Sequence, residues 1–235
     1  MYDESAAFYD AIYGWKDYEA ESKRLLAEIA KRTPDAKSLL DVACGTGRHL
    51  ELLSGTFEVE GVDLSPEMLA IARQRLRHVP LHEADMRSFE LDRRFDVVTC
   101  LFGSIALLQV IDEARNAVRN MMRHLAPGGL LIIEPWVREE DFENGRMDVE
   151  TYDTSDGHVL IGSVARRQDR LAMLDIQYLL VRSDGVRHVS EPLQPALWTQ
   201  AEYAALLSDE GLRVDYDPDG LMGRGLLIAT NASGG

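Results

Sequence analysis

Cysteine and long apolar runs are both scarce in this chain of 235 residues. Its two cysteines, Cys44 and Cys100, lack metal-ligand spacing, so we expect free thiols and no metal site. No apolar run approaches the roughly 20 residues that a membrane-spanning helix needs. The acidic start of the sequence lacks the basic and then apolar pattern of a signal peptide. These absences predict a cytoplasmic protein without a membrane partner.

Basic residues are outnumbered, with 25 Lys and Arg against 40 Asp and Glu and a formal net charge of −15. Such a field repels a polyphosphate backbone, and no basic patch that would override it is visible in the sequence. We therefore expect no nucleic-acid partner. An anionic small substrate would need particular arginines to offset the same repulsion.

The first 135 residues alternate short apolar runs with amphipathic stretches. After a leading segment rich in aromatic residues and a helix over about 17–32, the pattern predicts a helix after each of the first two strands and a further helix over 111–125. The predicted strands are 38–43, 58–63, 81–84, 95–101 and 130–134. Alternating strands and helices are typical of parallel βαβ units in an open α/β sheet. We expect a Rossmann-like sheet with helices on both faces.

The pattern changes after Pro135. From about 147 to 197, alternating runs are separated by turn signals around 155–157, 168–170 and 183–185, which predicts an antiparallel insertion of about four strands. A helix over 200–209 and strands at 212–216 and 226–230 then complete the first sheet. The predicted organisation is a core over 1–135, an insertion over 136–198 and a return over 199–235. The insertion should lie over the ligand crevice as an acceptor pocket, a homodimer contact, or both.

The most informative stretch is 39–50, with sequence LLDVACGTGRHL. A strand enters a Gly-x-Gly turn at Gly45 and Gly47 that opens a helix, and such helix starts attract negative groups. The dinucleotide fingerprint Gly-x-Gly-x-x-Gly would require glycine at Leu50. The turn therefore favours a nucleoside ligand without a pyrophosphate, although a purely structural βα turn remains an alternative.

Two acidic positions follow at the ends of later strands. Asp63 comes 18 residues after Gly45, where a carboxylate can accept hydrogen bonds from both ribose hydroxyls. Asp85 and Met86 follow the third strand, where the acid can accept from an adenine amino group and the apolar neighbour can pack on the ring. The alternative for Asp63 is an acid that precedes the N-terminus of the next helix.

In order and spacing, these motifs resemble those of the class I S-adenosylmethionine (SAM)-dependent methyltransferases over roughly residues 36–135. The resemblance implies that Gly45 and Gly47 hold the methionyl part of SAM, Asp63 the ribose and Asp85 the adenine. It also implies cofactor contacts at positions next to these motifs, namely Ala43, Leu64, Met86 and Leu101. The product would be S-adenosylhomocysteine.

The chain also resembles, over nearly its whole length, the N,N-dimethyltransferases of TDP-linked 3-amino sugars of the desosamine and mycaminose type. The similarity lies in the segments 8–10 (FYD), 16–18 (KDY), 85–87 (DMR), 134–136 (EPW) and 223–226 (GRGL). It implies that Tyr9 and Lys16 contact SAM and that Tyr2 closes over and orients the acceptor. Residues implied to contact the nucleotide-sugar are Trp136, Val137 and Arg224. Because the chain is strongly acidic, a pyrophosphate would need arginine partners, and Arg167 on the predicted insertion is a second candidate beside Arg224.

Three features differ from the amino-sugar enzymes. Val137 replaces a second aromatic residue after the EPW motif, Leu107 stands where relatives carry His or Tyr, and the segment 192–195 is less polar. The residue roles implied by the resemblance therefore apply better to the cofactor-binding part of the chain than to the acceptor-binding part. With Leu107 there, we expect no dedicated general base at that position.

The sequence thus predicts SAM-dependent methyl transfer to a small molecule, with the amino group of a TDP-linked amino sugar as the expected acceptor. The alternatives are N- or O-methylation of another small amine or natural-product intermediate, a nicotinamide-dependent oxidoreductase, and a SAM-binding protein without catalysis. The number of methyl groups transferred and the oligomeric state are left open.

Overall fold

A computed structural model describes residues 5–231, which form two β-sheets with helices around the larger one. The strands in chain order are β1 (Ser38–Val42), β2 (Glu58–Asp63), β3 (Leu81–Glu83), β4 (Phe95–Cys100), β5 (Leu125–Ile133), β6 (Met147–Thr154), β7 (Gly157–Gln168), β8 (Leu171–Arg182), β9 (Gly185–Ser190), β10 (Leu212–Asp217) and β11 (Leu226–Asn231). The larger sheet has seven strands in the order β10-β11-β5-β4-β1-β2-β3. Strands β1 to β5 run parallel, and β11 and β10 are antiparallel additions beyond β5. The expected Rossmann-like α/β fold is confirmed.

Six α-helices connect these strands, and side-chain caps fix where several of them begin. They are α1 (Ala6–Ile12), α2 (Tyr18–Arg32), α3 (Arg48–Leu53), α4 (Pro66–Arg75), α5 (Ile111–Arg123) and α6 (Gln200–Ser208). Asp17 accepts a hydrogen bond from the Ala20 N–H at the start of α2, and Ser65 accepts from the Met68 N–H at the start of α4. Thr199 and Glu202 form a capping box on α6. Each cap satisfies backbone donors that the first helical turn leaves unpaired.

Both faces of the large sheet are buried beneath helices. Successive side chains of a strand point to opposite sides, so neighbouring residues of one strand belong to different apolar clusters. On β4, Val98 belongs to the apolar cluster beneath α5 and α6, whereas Val97 belongs to the cluster beneath α2 and α3. Both side chains have no exposed surface. Strands buried on both faces account for the nearly continuous apolar runs in the sequence. None of the helices within residues 5–231 is long and apolar enough to cross a membrane.

The insertion forms the second sheet, four antiparallel strands in the order β6-β7-β8-β9. Its inner face packs on α1, where the Phe8 ring lies edge-on to Tyr178 at a centroid distance of 5.1 Å. Val159 and Leu180 from the same face are buried in this cluster. The N-terminal helix is therefore held between the insertion and α4.

The structure differs from the sequence-based expectations at several boundaries. Helix α5 ends at Arg123, and β5 begins at Leu125 rather than at Leu130, with the Pro-Gly-Gly turn as an irregularity between the pairs Phe95–Leu125 and Val97–Leu130. The last insertion strand ends at Ser190. Residues 191–197 instead run beside β8 with two isolated bridges. Helix α1 was not expected, since its seven residues have no side-chain cap.

Candidate functional site

A cavity of about 420 Å³ lies at the carboxyl ends of the parallel strands. Its walls come from α1, the turn after β1, the ends of β2 and β3, the turn after β4 and the inner face of the insertion. In open α/β sheets, ligands bind in this position because the loops on either side of the strand-order reversal diverge there. The fold thus brings residues from distant parts of the chain to one site.

The turn after β1 has left-handed backbone at Ala43, Gly45 and Gly47, with φ values of 61°, 55° and 77°. At Gly47 an added Cβ would lie 2.7 Å from the Leu76 side chain, so only glycine fits. The turn then enters α3 at Arg48. Ala43 and Gly45 line the cavity, so the backbone there is accessible to a ligand.

Asp63, at the end of β2, fastens this turn. One carboxylate oxygen accepts from the Gly45 N–H at 2.7 Å, and the other accepts from the Ser65 N–H at 2.8 Å. Burial raises the pKa of Asp63, while these backbone donors favour its ionised form. A carboxylate has about four acceptor positions, so two remain for ribose hydroxyls. The sequence left two interpretations of Asp63, a ligand of the ribose and an acid that precedes the N-terminus of α4. This geometry is compatible with both.

Asp85 and Met86 lie on the cavity wall beyond β3, together with Leu64. The Arg87 side chain binds Asp85 at 2.5 Å and also Glu113 at 3.0 Å, and its hydrogen bond lowers the pKa of Asp85. Asp85 is therefore ionised and can accept a hydrogen bond from an amino group at this end of the cavity.

Aromatic side chains form the opposite wall. The rings of Tyr9 and Tyr13 are 4.5 Å apart, and Phe102, in the turn after β4, meets Tyr13 edge-on at 5.1 Å. Burial raises the pKa of Tyr13, which keeps its hydroxyl protonated. Trp15 also lines the cavity although 58% of its surface is exposed.

The N-terminal helix is tied to the glycine turn by polar contacts. The Thr46 hydroxyl donates to Asp10 at 2.7 Å, and Arg75 binds the other oxygen of Asp10 at 2.5 Å. Arg75 also donates to the backbone carbonyl of Thr46. These contacts place the aromatic residues of α1 directly above the turn.

A second cavity, of about 490 Å³, lies between the insertion and the segment after β5. The two cavities share four wall residues, Trp136, Leu174, Ile176 and Arg224. Of the arginines on the second cavity, Arg138 pairs with Asp141 and Arg146 with Asp148. Arg224 has no carboxylate within ion-pair distance among residues 5–231, and its guanidinium lies 5.3 Å from the Phe102 ring centroid. The shared wall therefore carries one arginine that is available to an anion.

The structure places most, but not all, of the expected residues on these walls. Those on the first cavity are Tyr9, Ala43, Gly45, Asp63, Leu64, Asp85, Met86, Trp136 and Arg224. Leu101 is a core residue, and Gly47 shapes the turn from behind. Val137 lines the second cavity, whereas Arg167 pairs with Glu139 and lines neither. Tyr2 lies outside the described residues.

Lys16 does not reach the cavity wall. Its ammonium pairs with Glu21 in the protein interior, and Glu21 also binds His49 at 2.9 Å. Burial opposes ionisation of Glu21, but the hydrogen bonds from His49 and Lys16 outweigh it and lower the pKa of Glu21. Lys16 also lies 4.9 Å from the Phe102 ring centroid and 4.5 Å from that of Tyr18.

Several aromatic and apolar residues of the site were not expected to bind a ligand, among them Tyr13, Phe102, Leu174 and Ile176. Tyr13 follows Tyr9 by one helical turn, so the i, i+4 spacing could have indicated a shared face. The role of Phe102 depends on a left-handed backbone that its residue type does not suggest. No group of three His, Cys, Asp or Glu able to hold a metal occurs within residues 5–231.

Comparison with known proteins identifies relatives over most of the chain. Residues 39–129 match a family model described as a methyltransferase domain. A dTDP-4-amino-2,3,4,6-tetradeoxy-D-glucose N,N-dimethyltransferase from Saccharopolyspora spinosa is 38% identical, over 95% of this chain and 91% of that protein. A dTDP-3-amino-3,4,6-trideoxy-alpha-D-glucopyranose N,N-dimethyltransferase from Streptomyces venezuelae is also 38% identical, over 99% of this chain and 100% of that protein.

Solved structures agree with these relatives. The crystal structure of Streptomyces venezuelae DesVI matches with a TM-score of 0.92 and 38% identity, over 97% of this chain and 99% of that chain. SAM-bound CalS10, an amino pentose methyltransferase from Micromonospora echinaspora, matches with a TM-score of 0.86 and 40% identity, over 94% of this chain and 95% of that chain. The similarity therefore includes the insertion as well as the Rossmann-like core.

The buried acid Asp41 predicts how stability depends on pH. Burial raises its pKa to about 7, the Thr99 hydroxyl donates to it at 2.7 Å, and the nearby charge of Asp63 adds to the rise. The unfolded chain loses this proton near pH ~4. The folded chain holds it up to about pH 7. The free energy of unfolding should therefore fall as the pH rises between these values.

Asp41→Asn keeps an oxygen that can accept from Thr99 and removes the charge. We expect the variant to gain stability over the wild type from about pH 4 to about pH 7, by on the order of 4 kcal/mol in total, with a constant difference above that. Urea unfolding at a series of pH values measures this difference. Parallel pH profiles for the two proteins would contradict the prediction.

Proposed function

The chain belongs to the family of SAM-dependent methyltransferases that includes the dTDP-amino-sugar N,N-dimethyltransferases, and we propose that its own acceptor is the amino group of a TDP-linked amino sugar. The cofactor is SAM, and the reaction is methyl transfer. The observation that carries the proposed acceptor is the wall shared by the two cavities, where the unpaired Arg224 faces both.

We propose that SAM lies in the first cavity along the turn at Ala43 and Gly45. The exposed backbone of that turn suits the methionyl group, because N–H donors at a helix start attract a carboxylate. Asp63 then accepts from the ribose hydroxyls, and Asp85 accepts from the adenine amino group beside Met86. This order along the cavity leaves the sulfonium near the aromatic wall of Tyr13 and Phe102.

The acceptor would enter from the second cavity. A nucleoside diphosphate carries negative charge, and a protein with a net charge of −15 needs a specific cation to bind it. Arg224 supplies that cation and can bind a phosphate with two parallel hydrogen bonds. Trp136 and Phe142, whose ring centroids are 6.2 Å apart on this cavity, offer aromatic surface for the base. The amino sugar would then bridge the shared wall towards SAM.

The chemistry needs little beyond alignment. The amine lone pair forms a bond to the methyl carbon as the carbon–sulfur bond breaks, S-adenosylhomocysteine leaves, and the new ammonium releases a proton to solvent. Holding both reactants in line can lower the activation free energy by roughly 7–11 kcal/mol. Leu107, which has no titratable group, lies on the cavity wall, so we propose that the amine binds in its neutral form without a general base at that position.

The insertion offers a surface for a second copy of the chain. Its outer face exposes Met147, Val149, Leu179 and Val186, at 75%, 83%, 41% and 67% of their surface. Strand register places all four on the face opposite α1. Exposed apolar side chains grouped on one sheet face, with polar residues such as Gln177 and His188 among them, suit a protein–protein contact, so we propose that this face forms a homodimer contact.

A panel of TDP-linked amino sugars, differing in the position of the amino group, tests the acceptor. We expect mass spectrometry to show one or two added methyl groups on at least one member in the presence of SAM. Small amines without a nucleotide serve as the control class. Methylation of those amines with none on any nucleotide-sugar would contradict the proposed acceptor.

Arg224→Ala tests the anion site. Removing the only unpaired arginine of the shared wall should raise KM for the nucleotide-sugar by roughly tenfold or more, since a charge-assisted hydrogen bond contributes about 1.5–3 kcal/mol. The Kd for SAM, measured by calorimetry, should change little. Arg213→Ala, at an exposed position on β10, is the matched control. An unchanged KM in Arg224→Ala would rule out this role.

Val149→Lys combined with Val186→Lys tests the homodimer. Two charges on the outer face should convert a dimer into a monomer in light scattering, because burying unpaired ammonium groups is costly. Val110→Lys, at a residue that is 54% exposed away from this face, should leave the dimer intact. A wild-type chain that is monomeric at micromolar concentration would contradict the proposal.

A further inference from the structure

The EPW segment after β5 contains a buried acid that the proposed mechanism does not use. Glu134 has no exposed surface, and one of its carboxylate oxygens has no hydrogen-bond partner among the described residues. Its other oxygen accepts from the Phe102 N–H at 2.7 Å. Lys16 and Arg224 are close enough to act on this acid electrostatically, but its side-chain hydrogen bond is to the Phe102 backbone. A buried acid with so few hydrogen bonds calls for a physical reason.

That single partner lies in a strained turn on the cavity wall. Phe102 has a φ of 56°, which is uncommon for a bulky side chain, and Gly103 follows with a φ of 74°. An added Cβ at Gly103 would lie 2.8 Å from Trp136, so the turn is pressed against the EPW segment. The hydrogen bond from Phe102 to Glu134 holds the backbone in this conformation from within the protein.

The side chain that this turn presents is central to the site. The Phe102 ring meets Tyr13 edge-on at 5.1 Å, with the Lys16 ammonium 4.9 Å and the Arg224 guanidinium 5.3 Å from its centroid. The ring therefore lies next to three features: the Lys16–Glu21 pair, the aromatic wall of α1 and Arg224 of the shared wall. A shift of the ring would disturb the place where donor and acceptor must meet.

We infer that Glu134 is a positioning residue for methyl transfer, because its carboxylate fixes the left-handed Phe102 turn and so holds the Phe102 ring between the donor and acceptor cavities. The hydrogen bond carries this effect, and the charge does not. Burial raises the pKa of Glu134, and the neutral acid would still offer a carbonyl oxygen to the Phe102 N–H. The inference rests on the proposed function only for the nature of the reaction.

Two variants separate the hydrogen bond from the charge. Glu134→Gln keeps an oxygen acceptor of similar shape, whereas Glu134→Met fills the same volume and leaves the Phe102 N–H unpaired. We expect kcat for methyl transfer to fall about tenfold or more in Glu134→Met, since a small misplacement costs alignment, and to stay within about threefold in Glu134→Gln. The Kd for SAM should change by less than about threefold in both.

A matched control comes from the other end of β4. Asp96 accepts from the backbone N–H groups of Lys37 and Ser38 at 2.8 and 3.0 Å, far from the cavity. Asp96→Leu should lower the melting temperature and leave kcat at the wild-type value. Equal losses of kcat in Glu134→Gln and Glu134→Met would overturn the hydrogen-bond role, as would a wild-type kcat in Glu134→Met.

A double-mutant cycle with Phe102→Leu tests whether Glu134 acts through the ring. If it does, combining Glu134→Met with Phe102→Leu should lower kcat no further than the worse single variant, because coupled residues are not additive. Additive losses would overturn the inference.

Hydrogen exchange of the Phe102 amide reports the turn directly. We expect exchange to accelerate in Glu134→Met and to stay near the wild-type rate in Glu134→Gln, and an unchanged rate in Glu134→Met would overturn the inference. This measurement needs no acceptor. A failure to methylate any nucleotide-sugar would therefore count against the proposed function and leave the exchange rates to decide the role of Glu134.

Discussion

The strand order of the seven-stranded sheet is the constraint on which the site depends. The chain leaves β1 for β2 and β3 on one side and then returns to β4 on the other. The loops after β1 and β4 therefore diverge and open a crevice at the carboxyl ends of the strands. Gly45 forms one side of this crevice and Phe102 the other. Asp63 and Glu134, each at the end of a strand, accept hydrogen bonds from these two turns.

Charge is distributed unevenly along the two cavities. Asp63, Asp85 and Glu113 line the end proposed for SAM, where Arg87 pairs with Asp85 and Glu113. At the shared wall, Arg224 provides positive charge that suits a diphosphate. The ribose and adenine of the proposed donor thus lie at the acidic end, and the proposed acceptor is an anion held at the basic end.

The cofactor half could be predicted from the sequence because its determinants are local. A glycine turn after a strand and acids at the next strand ends follow from spacing alone, and the structure gathers Gly45, Asp63 and Asp85 on one wall. The burial of Lys16 behind that wall could not be predicted, because lysine is almost never buried unless paired and its partner Glu21 cannot be identified from spacing. Helix α1 was missed since so short a helix depends on tertiary packing rather than propensity.

The acceptor half depends on contacts between distant segments. Arg224, near the end of the chain, reaches the cavity only because β11 pairs with β5, and Leu174 and Ile176 reach it only because the insertion folds back over α1. The chain enters that insertion through Trp136, directly after the strand end whose Glu134 accepts a hydrogen bond from the turn at Phe102. The acceptor wall and the donor wall are therefore joined at one short segment. Changes in the insertion can alter which acceptor fits while the geometry of the methyl donor stays fixed.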